Sequence, residues 1–253
     1  MNINKYIQRI GFEGNLVASK ACLEELHRCH VMSIPFEAID VQLGNRINLD
    51  LNQIFHKVIV NHRGGYCYEL NYLFHWLLDE VGFECQLVSA RIFDNGTYGP
   101  EYDHMALIVK LGNSWLVDVG YGDLFVKPLD VSPELMQEDK FKLYKLEQHD
   151  KSEYLLLESL KNNIKWTPRY SFNTRPRLIT DFEEQNEYKQ SSSESYFVRN
   201  RICTMPTQCG RKTILNDIYK VKTNNDVHKQ EIVSKEEMYH ILESEFRIKL
   251  NMK

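Results

Sequence analysis

The chain has 253 residues, 43% hydrophobic and 26% charged, the make-up of a folded globular protein with room for one large domain or two to three small ones. A formal net charge of -4 argues against a nucleic-acid partner, no apolar run approaches the length of a membrane span, and Met1-Asn2-Ile3-Asn4-Lys5 lacks the apolar stretch of a secretion signal. The expectation is a cytoplasmic protein whose six cysteines stay reduced; none forms a C-x-x-C pair, so no zinc or dithiol motif is present and no metal is expected.

Residues 1–82 read as mostly helical. Ser19 can cap a helix running to His30, with Pro35 beyond its end. Cys22, Leu26 and Cys29 share a core-facing stripe of that helix. His27 and His30 read as surface residues, because their spacing with Cys29 matches no recurring metal-ligand pattern. Pro35 restricts Ile34 and makes 33–37 an extended turn, in which Phe36 is either core or pocket wall. Leu51, Ile54, Phe55, Val58 and Ile59 recur at helical spacing, as do Leu70, Leu73, Phe74, Leu77, Leu78 and Val81. Between them Gly64-Gly65 must break the chain, since glycine weakens a helix and permits positive φ. Cys67 then stands at or just before the first turn of the second helix. Unpaired N–H groups and the helix dipole favour a thiolate at such a place. Position alone leaves two readings open, a reactive nucleophile or an inert buried thiol.

Gly82 closes that helix, and the pattern turns to strands. Residues 83–93 are rich in β-formers and lead to a loop at 94–100. Two strands follow, 104–110 and 115–119, joined around Gly112-Asn113. A hairpin of 141–148 and 154–160 and a strand at 166–172 complete a small antiparallel sheet or barrel. Residues 178–190 read as a polar helix, 196–205 and 211–215 as strands, and 234–250 as a last helix. Ser234 and Glu237 fit a capping box there, with Met238, Ile241, Leu242 and Phe246 as the apolar stripe.

A catalytic cysteine needs a base, and the base needs an orienting group. His104 opens the apolar strand His104-Met105-Ala106-Leu107-Ile108-Val109, where an imidazole requires a partner or a function. Asp118 is its counterpart in Trp115-Leu116-Val117-Asp118-Val119, a carboxylate costly to bury unless paired. A two-residue turn at Gly112-Asn113 would put the two on opposite faces. A three-residue loop, Leu111-Gly112-Asn113, sets Lys110 opposite Ser114 and Asp118 opposite Ala106, and brings His104 diagonally next to Asp118 on one face. That register is the expectation. The pair alone would be an ordinary structural His–Asp bond; with Cys67 at a helix start, a Cys-His-Asp triad explains all three.

Arg63-Gly64-Gly65-Tyr66-Cys67-Tyr68-Glu69-Leu70-Asn71 resembles the signature of the arylamine N-acetyltransferases. So do Asp103-His104-Met105-Ala106-Leu107-Ile108-Val109, Leu116-Val117-Asp118-Val119-Gly120-Tyr121-Gly122 and Ile34-Pro35-Phe36-Glu37, and also 166–172, Asp181-Phe182-Glu183 and Gly210-Arg211. Tyr66 departs from the arginine of many bacterial members, and Ala38 from an asparagine that often follows Pro-Phe-Glu. The resemblance implies an α+β fold: an N-terminal helical bundle (1–82), a central antiparallel β-barrel (83–177) and a C-terminal α/β lid (178–253), with a core shared in part with papain-like and transglutaminase-like cysteine enzymes. It further implies a catalytic Cys67, His104 and Asp118, acetyl-coenzyme A as co-substrate, and a small arylamine or hydrazine as acceptor. Phe36 and Phe125 would line the acceptor pocket with Tyr121 nearby, and Arg199, Arg201, Arg211 and Lys212 are candidates for the coenzyme phosphates. The competing readings are a cysteine hydrolase or transglutaminase-type acyl transferase, an amide synthase, and a binding protein that keeps the scaffold.

Overall fold

The computed structural model describes residues 1–140, 142–223 and 226–250. Its N-terminal third is helical: α1 (Ile3–Ile10), α2 (Lys20–Ser33), a short β1 (Phe36–Glu37), α3 (Ile39–Gln42), α4 (Leu51–Phe55) running into a π turn (His56–Val60), and α5 (Cys67–Val81). The caps follow the sequence. The Ser19 hydroxyl accepts the Cys22 N–H at 3.3 Å, and Gly82 ends α5 in the left-handed conformation. Strands come next: β2 (Glu84–Asp94), β3 (Thr97–Tyr98), β4 (His104–Leu111), β5 (Asn113–Val117), β6 (Leu129–Asp130), β7 (Gln137–Glu138), β8 (Lys142–Gln148), β9 (Glu153–Leu160) and β10 (Asn163–Asn173). The last part holds a 3-10 turn (Ile179–Phe182), α6 (Glu183–Ser191), α7 (Tyr196–Arg199), β11 (Ile202–Thr207), β12 (Gly210–Leu215), β13 (Ile218–Thr223), β14 (Val227–Glu231) and α8 (Lys235–Phe246).

Among the described residues the strands form two antiparallel sheets. The larger runs β6-β5-β4-β2-β10-β9-β8-β7 and curls into a nearly closed barrel. At the seam the Gln137 side chain stands in for a strand, accepting the Asp130 N–H at 2.7 Å and donating to the Asp130 carbonyl at 2.9 Å. The smaller sheet runs β1-β11-β12-β13-β14 and is backed by α8. Alternation along β4 divides the core. Met105, Leu107 and Val109 pack on the helices, while Ala106 and Ile108 face the barrel interior with Leu116, Phe125 and Tyr144.

Two sequence expectations shift, and two strands are added to them. Residues 196–199 are helix, because the Ser195 hydroxyl caps them by accepting the Phe197 N–H, and the strand begins only at Ile202. Strands β13 and β14 are additional: β13 alternates, with Tyr219 buried between exposed Ile218 and Lys220, while β14 is exposed along its whole length. The last helix stops at Phe246, where Arg247 takes a left-handed φ of 58°. Phe141, read as the first residue of a strand, lies outside the described residues.

Candidate active site

Three local geometries build the site. The first is the glycine pair. The pair interrupts the helices as expected, without a positive φ at either Gly64 or Gly65. They are small because the backbone passes close to β1: a Cβ on Gly64 would strike the Pro35 carbonyl, and the Glu37 N–H donates to the Gly65 carbonyl at 2.9 Å. Cys67 then opens α5. The Glu69 carboxylate, at the third helical position, accepts the Tyr66 N–H at 3.2 Å and holds the turn in place. Behind that turn lies a buried ion network. Lys57 bridges Glu69 (2.8 Å) and Asp40 (2.7 Å), and Arg63 bridges Asp40 (3.2 Å) and Glu37 (2.8 Å).

The second is the hairpin. Lys110 pairs with Ser114 and Leu111 with Asn113 across Gly112, at φ 73°, the register expected from a loop centred there. His104 and Asp118 therefore share a face, and His104 Nε2 lies 2.7 Å from Asp118 Oδ2. Both side chains are essentially shut off from solvent. Burial disfavours the imidazolium, but the Asp118 charge, its hydrogen bond and contact with the Cys67 side chain outweigh that and raise the His104 pKa to about 10. Burial likewise works against the Asp118 anion, and the His104 charge with the hydrogen bonds of His104, Asn71 and Gly120 overcomes it, leaving the carboxyl below its ordinary value.

The third is the return loop after β5. Asp118 Oδ1 accepts from Asn71 Nδ2 and from the Gly120 N–H, each at 3.0 Å. Asn71 also donates to the Met105 carbonyl (2.6 Å) and accepts the Val119 N–H (2.9 Å), so one amide ties α5, β4 and the loop together. Gly120 lies so close to α5 that a Cβ would stand 2.6 Å from Asn71 Nδ2 and 2.8 Å from the Cys67 Cα. Cys67, His104 and Asp118 thus meet where helix, barrel and loop converge.

Phe36, Tyr121 and Phe125 line one small cavity of about 20 Å³ with Gly122, Val119 and Arg211. The Tyr121 ring stands edge-on to His104, centroids 5.4 Å apart. The four basic residues do not converge. Arg199 is exposed on α7, and Arg201 pairs with Asp217 (3.2 Å) at the far end of the β11–β12 hairpin from Arg211. Lys212 points to the other face of β12, where it donates to the Glu245 carbonyl under the Phe246 ring. Arg211 alone borders the cavity. It pairs with Asp123 (3.0 Å), donates to the Gly122 carbonyl and reaches Thr204 Oγ1 (3.1 Å).

The sequence reading missed Asn71 and His27. Asn71 lies one helical turn beyond Cys67 in an apolar helix, and that spacing was the available signal. His27 and His30, expected on the surface, are wholly buried. Each has a distant partner for one ring nitrogen: His30 Nδ1 meets the Tyr6 hydroxyl at 2.7 Å, and His27 Nε2 accepts the Asp118 N–H at 3.3 Å.

A thiol, an imidazole and a carboxylate are gathered at one point of an α+β frame, with the imidazole in contact with both of the others. A family model described as N-acetyltransferase matches residues 21–253. Similar proteins include arylamine N-acetyltransferase 1 of Homo sapiens, 29% identical over all of this chain and 96% of that protein, and arylamine N-acetyltransferase 2 of Rattus norvegicus, 28% identical over the same shares. Among solved structures, the arylamine N-acetyltransferase of Salmonella typhimurium superposes with a TM-score of 0.91 at 25% identity, over 99% of this chain and 92% of its own. That of M. smegmatis gives 0.90 at 27% identity, over 98% and 92%. The chain belongs to the arylamine N-acetyltransferase family and is an acyltransferase.

Proposed function

We propose that the protein moves an acetyl group from acetyl-coenzyme A to the nitrogen of an arylamine or arylhydrazine in two half-reactions, through an acetyl-Cys67 intermediate. The observation that carries this is the 2.7 Å bond from His104 to Asp118 together with the contact of the same imidazole with the Cys67 side chain. His104 takes the thiol proton, and the Cys67 sulfur attacks the thioester carbonyl. Backbone N–H groups at the start of α5 stabilise the oxyanion in this reading. The carbon–sulfur bond to the coenzyme breaks, and His104 returns the proton to the departing thiolate. In the second half the amine nitrogen attacks acetyl-Cys67, His104 accepts the proton the nitrogen sheds, and that proton passes to the Cys67 sulfur as it leaves. Asp118 fixes the imidazole and stabilises its charged form. Phe36, Tyr121 and Phe125 form the seat of the acceptor ring.

For the coenzyme phosphates, Arg211 carries the reading further than Arg199, Arg201 or Lys212. It lies between the acceptor cavity and a cleft of about 330 Å³ that Lys142, Lys161 and Lys222 also line. The segments 1–82, 83–177 and 178–253 then divide the labour into nucleophile, base with acid, and cover.

The test is direct. Acetyl-coenzyme A is expected to add one acetyl mass to the peptide bearing Cys67, and an arylamine to remove it, giving parallel double-reciprocal plots. Cys67→Ala should take no label and lose transfer by at least about 10³-fold. Label that water or a peptide amine discharges as fast as an arylamine does would instead identify a hydrolase or transglutaminase-type enzyme.

A further inference from the structure

α2 supplies no member of the triad, yet one of its side chains reaches the triad's acid. His27 is 0% exposed, and its Nε2 accepts the backbone N–H of Asp118 at 3.3 Å across 91 residues of sequence. β5 ends at Val117, so that N–H lies past the strand ladder and would be a buried orphan without the ring. The imidazole also stacks on Phe125, centroids 5.7 Å apart with planes at 18°, and meets Phe74 edge-on at 6.1 Å. Its other backbone neighbour is Val126, whose N–H is already given to Asp139 Oδ2 at 3.1 Å; the carbonyl is the group left for the ring, in a contact short of full hydrogen-bond geometry. One ring therefore touches both ends of the segment 118–126, which carries the acid, Tyr121 and the pocket residue Phe125.

An acceptor role for Nε2 fixes the tautomer, because the proton of the neutral ring must then sit on Nδ1. Burial pushes the His27 pKa down to about 4 against the pull of Val126 and Asp118, so the ring is neutral at neutral pH. A proton on Nε2 would face the Asp118 N–H donor to donor. Phe74 and Phe125 bring no charge to the ring, and the nearby His30 is likewise held below its ordinary value by burial, with His27 and Arg9 adding to the effect.

We propose that His27 is a positioning residue of this active site: as the neutral Nδ1–H tautomer it ties the 118–126 segment to α2 and so fixes the aim of Asp118 and the seat of the Phe125 ring together. The inference rests on the triad reading, since Asp118 matters only if it orients His104. It does not depend on which amine is the acceptor.

The experiment measures alkylation of Cys67 by iodoacetamide at pH 7 in the full chain, which needs neither coenzyme nor acceptor. His27→Phe keeps a ring against Phe125 and removes both polar contacts. It is expected to slow alkylation by about ten- to a hundredfold, the usual cost of misaiming a catalytic group from a distance. His27→Gln, which can again accept the Asp118 N–H, should recover to within about threefold of wild type, a rescue that ring packing alone would not give. On an Asp118→Asn background His27→Phe should add no further loss, because the two act through one group. A wild-type rate for His27→Phe, equal damage from Gln and Phe, or full additivity with Asp118→Asn would each overturn the proposal. If Asp118→Asn by itself leaves alkylation unchanged, the triad reading fails and the inference falls with it. Should His27→Phe not fold, ¹⁵N spectra of the wild type decide: a proton on Nδ1 of His27 through neutral pH supports the proposal, and one on Nε2 refutes it.

Discussion

Asp118 and Arg211 are both largely buried charges beside one cleft, and the molecule holds them in opposite ways. Asp118 is clasped by neutral or fixed groups from separate parts of the fold: Asn71 on α5, the Gly120 N–H of its own loop, His27 on α2, and His104 on β4. Arg211 is held by Asp123, a carboxylate about half exposed, and by single contacts to Gly122 and Thr204. A group that must keep its aim through a catalytic cycle is tied down redundantly and away from water. A group that is to release one anion and accept another is better served by an ion pair that solvent can reach and weaken.

That contrast breaks hardest at the acid itself. Asp118→Asn removes the charge and leaves the shape, and transfer should fall on the order of 10⁴-fold, as expected when a triad's orienting carboxylate is lost. The same substitution should move a titration. Wild-type His104 is held near 10 against an ordinary value of 6.5, so it keeps a proton that the unfolded chain releases between those limits. Its contribution to stability is full below about 6.5 and is lost as pH rises through about 10. In the asparagine variant burial is opposed only by the Cys67 contact, and the His104 pKa should fall well short of its wild-type value. NMR titration of the His104 ring, with unfolding curves at pH 6 and pH 10, tests both. A variant ring still charged at pH 8 would show that Asp118 does not set it.

Next in size is the amide that does the clasping. Asn71→Ala leaves the Val119 N–H and Met105 carbonyl unpaired in the interior and takes one donor from Asp118. Buried orphans of this kind should cost about 2–4 kcal/mol of stability. Denaturant titration measures that, and acetylation of Cys67 should slow with it. Gly120→Ala attacks the same junction sterically, since its Cβ has no room against Cys67 and Asn71. The loop must retreat, and a loss of about 1–3 kcal/mol, with transfer reduced at least about tenfold, is the expected result.

The parts of this arrangement that were legible in the sequence are those that depend on short-range rules. A glycine pair followed by an apolar stripe places Cys67 at a helix start. A Gly-Asn turn between two apolar strands sets a register, and the register puts His104 and Asp118 on one face. Both arguments reach across fewer than about twenty residues. What stayed hidden is joined across long separations: His27 to Asp118 over 91 residues, and Tyr66 to Asn186 over 120. A histidine on a helix gives no sign of whether its face will meet water or another wall of the core, because the answer lies in an element far along the chain. The basic residues fail for a related reason. Arg211 and Lys212 are neighbours in sequence, yet strand alternation sends them to different faces, and only the sheet's position shows which face borders the cleft.

The smallest expected effects are at the loosely held end. Lys222→Gln removes a rim charge of the 330 Å³ cleft. Arg211→Gln also frees Asp123 to repel an incoming phosphate. If the cleft receives the coenzyme, both should raise the apparent KM for acetyl-coenzyme A, by about twofold for Lys222 and about tenfold for Arg211, and Lys222→Gln should leave the rate at which arylamine discharges preformed acetyl-Cys67 little changed. Acetyl-pantetheine, which lacks the nucleotide phosphates, should show neither effect, and added salt should shrink the difference between the two donors. Arg199→Gln and Arg201→Gln stand as controls, since one side chain lies out on α7 and the other is already committed to Asp217 at the far end of the hairpin. Should Arg201→Gln weaken acetyl-coenzyme A as much as Arg211→Gln does, the phosphates do not lie in this cleft, and the contrast between a clasped acid and an exchangeable base would lose its second half.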